Sequence, residues 1–141
     1  MATYNKFYAF VEALAEGKHN FQTNTLKVYL SNATPDAAAD AVKADLAEIA
    51  PGNGYTAGGN VATVTSSAQT GGLYKLVLAD PATWTASGGP IGPFRYIVLY
   101  NDTSANDDLI AWYDFGSTLT VGAGDSFTVD FDPTTGVLTI Q

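Results

Sequence analysis

A succession of short runs in which apolar and polar residues alternate, separated by glycine-rich punctuation, most constrains what this chain can fold into. Leu26, Val28 and Leu30 alternate with Lys27 and Tyr29, and similar runs follow at 61–67 (VATVTSS), 73–79 (LYKLVLA), 94–101 (FRYIVLYN), 109–115 (LIAWYDF), 126–132 (SFTVDFD) and 136–140 (GVLTI). Between them stand GNG at 52–54, Gly58-Gly59, Gly71-Gly72, SGGPIGP at 87–93 and GAGD at 122–125. Period two places alternate side chains on opposite faces of a strand. Many short strands spaced by such turns predict an antiparallel sandwich or barrel.

One segment breaks that rhythm. Phe7, Phe10, Val11 and Leu14 recur at helical spacing, which predicts a helix over Asn5 to Glu16. Asn5 is placed to cap its start, and Gly17 stands where a left-handed C-cap is expected. The expected fold is therefore mainly β, an antiparallel sandwich with one N-terminal α-helix. It forms a single domain over 1–141, with 1–20 as helix and arm and 21–141 as the sandwich. The Ala-rich DAAADAVKADLAEIA at 36–50 reads equally as a short helix or an extended excursion.

Two strands are apolar on both faces. In FRYIVLYN, Phe94, Tyr96, Val98 and Tyr100 share one side while Ile97 and Leu99 stand beside Arg95 on the other. In LIAWYDF, Leu109, Tyr113 and Phe115 oppose Ile110 and Trp112. One side fills the sandwich; the other needs cover from the N-terminal helix or from another subunit. Tyr96, Tyr100 and Trp112 are accordingly interface candidates, as are Tyr4, Phe7 and Tyr8 and the loops 51–60 and 86–93. Arg95, the only arginine, is expected to pair with an aspartate at a partly buried site or to anchor an interface.

Composition narrows the chemistry. The chain has 141 residues, a net charge of −8, one histidine and no cysteine. Six scattered cations do not supply the basic cluster that phosphate contacts require, so no nucleic-acid partner is expected. Without cysteine there is no disulfide, thiolate metal site or thiol nucleophile. No apolar run approaches the roughly 18 residues of a membrane span, and the N-terminus lacks the pattern of a signal peptide, so a soluble chain is expected. Asp130 and Asp132, about 7 Å apart along a strand, have a separation compatible with a carboxylate pair of a glycosidase, or with an ordinary wet strand face. NDTSANDDL at 101–109 is rich in oxygen ligands for Ca²⁺, yet lacks the EF-hand spacing and equally suits a turn. His19 follows the helix end, where the dipole favours it without any catalytic role. Ser87 and Ser117 are expected in loops with no base beside them. No catalytic residue, metal ligand or cofactor is assigned.

The order of segments resembles that of small structural proteins of tailed bacteriophages, described as capsid decoration (cement) or tail-fibre-type proteins. The resemblance is carried by KFYAFVEALAEGKHN leading into TLKVYLSNATP, by EIAPGNGYTAGG, by IGPFRYIVLYND and by the closing GDSFTVDF…GVLTI. It spans nearly the whole chain, with the Ala-rich 34–44 segment the least typical piece. It implies a jelly-roll-like β-sandwich assembled as a dimer or trimer on the outside of a virion. The implied partner is the major capsid protein, and synthesis is in the bacterial host cytoplasm. The alternative within the resemblance is a tail-fibre or tail-tip module that binds a host receptor or glycan. It brings no catalytic residues. A small carbohydrate-active enzyme is a third reading, resting on the paired aspartates alone.

Overall fold

The computed structural model describes residues 2–141. It is mainly β, built from antiparallel sheets with one α-helix and no closed barrel. The principal sheet contains β1 (Thr3–Lys6), β2 (Leu26–Ser31), β3 (Asn60–Ala62), β7 (Ile91–Asn101) and β8 (Leu109–Val121), in the order β1-β8-β7-β2-β3. A second sheet joins β4 (Val64–Thr70), β5 (Leu73–Leu78) and β10 (Leu138–Ile140) in the order β10-β5-β4. A short pair, β6 (Trp84–Thr85) and β9 (Ser126–Phe127), stands apart from both.

Register across the principal sheet explains its two apolar faces. Asn5, Trp112, Val98 and Tyr29 line up across β1, β8, β7 and β2, and the next row is Tyr4, Tyr113, Ile97 and Leu30. Adjacent rows point to opposite sides. The Ile97 side faces the interior: Tyr113 packs 6.0 Å from Phe131, and Phe94, which strict alternation puts with Val98, is carried to the Ile97 side by the register shifts flanking it and meets Phe127 edge-on at 5.0 Å. The Trp112 side is closed by the chain itself. The Phe7 ring lies 4.6 Å from that of Trp112 at a tilted angle, and Leu46 is buried on the same side beside Tyr29.

The cover is the segment 36–49, mostly irregular, with a turn at 37–39 and a 3-10 turn at Lys43–Asp45. Backbone bonds fasten it at both ends: Tyr8 N donates to Ala37 O, Leu109 N to Ala41 O, Lys43 N to Asp107 O and Ile49 N to Leu30 O. Between these, the Tyr29 hydroxyl donates to Leu46 O and the Ser31 hydroxyl to Ala47 O. Lys43 Nζ lies 5.0 Å over the Tyr29 ring and 5.8 Å over that of Tyr100. Glu48 then locks the segment to the loop that follows. Its carboxylate accepts from Tyr55 Oη at 2.7 Å, from Gly58 N at 2.7 Å and from Lys43 Nζ at 2.8 Å. Neither a helix nor a second subunit is needed to bury this face.

Other expectations change in detail. Helix α1 spans Tyr8–Ala15, not Asn5 to Glu16. Residues 3–6 pair with β8 instead, so Asn5 is a strand residue and Phe7 occupies the cap position without a side-chain cap. Thr3–Lys6 is thus an edge strand of the principal sheet. Gly17, at φ +77°, does end the helix: its N–H reaches Leu14 O, and Lys18 N reaches Ala13 O. The run at 126–132 pairs as a strand only at Ser126–Phe127; farther on, Phe131 N is held by the Asp80 carboxylate at 2.7 Å. At Gly59, φ is +71° and a Cβ would run into the Val28 carbonyl, so the loop can approach β2 only with glycine there.

Candidate interaction surface

The proposed interface residues separate into two groups by burial. Phe7, Tyr96, Tyr100 and Trp112 belong to the protein's own core, each less than a tenth exposed. They present no surface to a partner, because segment 36–49 and Phe7 occupy the face that the strand pattern left open. Tyr4 and Tyr8 do reach solvent, at 38% and 66% exposure. Arg95 forms the aspartate pair rather than a free anchor. Its Nε and Nη2 donate to the two carboxylate oxygens of Asp114 at 2.8 and 3.0 Å. That guanidinium, with the Gly116 amide, holds the Asp114 carboxyl below the usual carboxylate range.

Tyr8 lies three residues before Val11, which is 52% exposed, so the two are neighbours on the outer surface of α1. Beside them, a groove of about 580 Å³ runs between α1, β1 and β10, lined by Tyr4, Val11, Leu14, Leu138 and Ile140 among others. Ile140 is 42% exposed. Burial pushes the Tyr4 phenol above its ordinary pKa, and its ring meets Tyr113 edge-on at 5.5 Å. Tyr4 is therefore fixed from behind and offers one side outward. Val61, Leu73 and Phe115 are exposed on other strands. The α1–β1–β10 side gathers four exposed large apolar residues from three elements, with a groove between them. Such a surface offers shape and apolar area to another macromolecule.

The loops at 51–60 and 86–93 pack on one another. Ser87 N donates to Asn53 O, and Asn53 Nδ2 donates to Pro90 O at 2.9 Å. Tyr55 is buried, and burial, reinforced by the Glu48 bond, raises its phenol pKa. Residues 51–54, 56–57, 87–88, 90 and 93 of these loops remain exposed to solvent.

The chemical constellations resolve into local structure. Asp132 accepts from Thr134 N, Thr135 N and Thr135 Oγ1, which holds its carboxyl below the usual range and closes a turn. Asp130 is exposed and outside any strand. In the 101–108 turn, Asn101 Oδ1 accepts from Thr103 N and Ser104 N, and Asp102 pairs with Lys27 at 3.1 Å. Among the described residues, no three His, Cys, Asp or Glu side chains converge as metal ligands would. Ser117 is within β8 rather than in a loop. Sequence reasoning missed Val11 and Ile140 as surface residues. Helical spacing groups Val11 with Phe10, but the buried residues of α1 are Phe10 and Ala13. The short C-terminal strand gave no sign of which side it would turn outward. No family model, curated protein or solved structure matches the chain.

Proposed function

We propose that the protein is a non-enzymatic structural component of a tailed-bacteriophage virion, a decoration (cement) protein that binds the major capsid protein on the outer surface of the head. The resemblance described above supplies the family, and with it a jelly-roll-like arrangement of the two sheets. The observation that carries the reading is the exposed apolar side formed by Tyr4, Tyr8, Val11 and Ile140 around the α1–β1–β10 groove. A surface of this kind suits a contact repeated over many identical lattice sites, where modest affinity per site is enough to stabilise the assembled shell. The net charge of −8 suits a position away from packaged DNA. Self-association, first motivated by the two-sided strands, loses that motive because their second face is closed internally.

The test is to add the purified protein to capsids that lack it. Co-sedimentation and greater heat resistance of the capsids are expected, and Tyr8→Glu and Val11→Glu should abolish both while leaving the protein's own melting transition intact. No co-sedimentation, or undiminished binding by both variants, overturns the proposal. A copy number of a handful per particle, rather than hundreds, would assign the protein to the tail instead.

A further inference from the structure

The single histidine of the chain is buried at 7% exposure behind the C-terminal end of α1, between Phe10 at 5.3 Å and Phe21 at 5.7 Å. Its Nδ1 lies 3.0 Å from Asn101 Nδ2. Two donors cannot share that contact, so the state of the imidazole depends on which way the Asn101 amide points.

Four bonds fix the amide, the longest of them from Nδ2 to Lys18 O at 3.4 Å. Asn101 Oδ1 accepts from two backbone N–H groups, Thr103 at 3.0 Å and Ser104 at 3.3 Å. Its Nδ2 donates to Asn24 Oδ1 at 2.8 Å, and that oxygen in turn accepts from Asn20 N at 2.9 Å. Reversing the amide would set oxygen against oxygen at Asn24 and donor against donor at Thr103 and Ser104. Asn101 therefore presents N–H to His19, and His19 Nδ1 must be an unprotonated acceptor. The one ring proton sits on Nε2, which is buried without a partner.

We propose that His19 is an acid-sensitive latch: neutral, it pins residues 18–24 to the β7–β8 turn, and on protonation it breaks that attachment. A proton added at Nδ1 points at the Asn101 amide hydrogens and replaces an attraction with a repulsion. It also leaves a cation whose second N–H has no acceptor, packed against the Phe10 and Phe21 rings. Two charged groups bear on the ring. Asp108, at the junction of turn and β8, favours the cation; Lys18, which reaches Asp108 at 3.9 Å, opposes it. Tyr74 of β5 borders the same cleft with its phenol bonded to the Ser67 hydroxyl. Burial outweighs Asp108 and pushes the imidazole below its ordinary pKa.

Because folding disfavours the imidazolium, the contribution is complete above the imidazole's ordinary pKa near 6.5. It is lost progressively as pH falls from there through the lower folded-state value. Each unit of depression lowers the ratio of folded to unfolded protein about tenfold across that window. No other imidazole exists in the chain to blur the effect.

The test uses the full chain. NMR of His19 should show the Nε2-protonated tautomer at pH 7.5 and a pKa below 6.5. Urea denaturation between pH 7.5 and 5 should show a loss that His19→Phe does not share. Amide exchange at residues 18–24, corrected for its intrinsic pH dependence, should quicken as the pH falls. Asn101→Asp replaces the donor with an acceptor and should raise the His19 pKa above that of the wild type. If this variant does not fold, the wild-type titration still decides. An Nδ1-protonated tautomer, a pKa at or above 6.5, or an equal acid loss in His19→Phe overturns the latch.

Discussion

Replacing Glu48 measures how firmly segment 36–49 is held over the Trp112 face of the principal sheet. The Glu48 side chain is 13% exposed, and its carboxylate receives three donors at 2.7 to 2.8 Å from Tyr55, Gly58 and Lys43. A hydrogen bond to a charged group contributes about 1.5–3 kcal/mol. Glu48→Gln keeps the shape and one carbonyl oxygen, but weakens two charge-assisted bonds and can set an amide against the Lys43 ammonium. Lys43 is 23% exposed and recovers part of its loss from water, so the expected cost is about 2–3 kcal/mol. Glu48→Ala strands the Gly58 N–H and the Lys43 charge together and should cost about 3–5 kcal/mol.

Urea denaturation reads both changes as a fall in midpoint. With a slope of about 2 kcal/mol/M, Glu48→Gln should shift it by about 1–1.5 M. A double-mutant cycle with Tyr55→Phe isolates the shared bond. Tyr55 Oη also accepts from Leu30 N at 3.0 Å, but that loss occurs in both backgrounds and cancels. The expected coupling is about 1–2 kcal/mol. A Glu48→Gln variant within about 0.5 kcal/mol of wild type, or no coupling to Tyr55, would refute the assignment of Glu48 as the fastening of this segment.

Three further outcomes follow from the same geometry. Phe7→Ala empties a fully buried site against Trp112 and should cost about 3–5 kcal/mol in chemical denaturation, whereas a surface role for Phe7 would leave stability nearly unchanged. Gly59→Ala forces a methyl into the Val28 carbonyl at φ +71° and should lower the melting temperature far more than Gly71→Ala, where φ is +61° but nothing lies within 4 Å. Asp114 has its carboxyl pKa depressed by Arg95, so its contribution should be present above the usual carboxylate range and disappear as pH falls through the lower folded-state value. Arg95→Met should remove that part of the acid dependence in melts recorded between pH 5 and 2.

Alternation along the chain determined that this is a mainly β protein. It located β2, β5, β7 and β8, because period-two patterning is a local property of residues that share a face. It also revealed that β7 and β8 are apolar on both sides, and Gly17 marked where the helix stops. The same local logic places Asn5 and Phe7 in the helix, since the helical spacing of Phe7, Phe10, Val11 and Leu14 outweighs a short strand whose partner, β8, lies over a hundred positions away. Only the tertiary structure decided what covers the second face. Segment 36–49 has no decisive period of its own; it is positioned by Glu48, by backbone bonds to Ala37 and Ala41, and by Lys43 over two tyrosine rings. Periodicity tells which sides of a strand must be buried, but the covering group is chosen by contacts between distant residues. That choice left Tyr4, Tyr8, Val11 and Ile140 outside and drew Phe7, Tyr96, Tyr100 and Trp112 into the core.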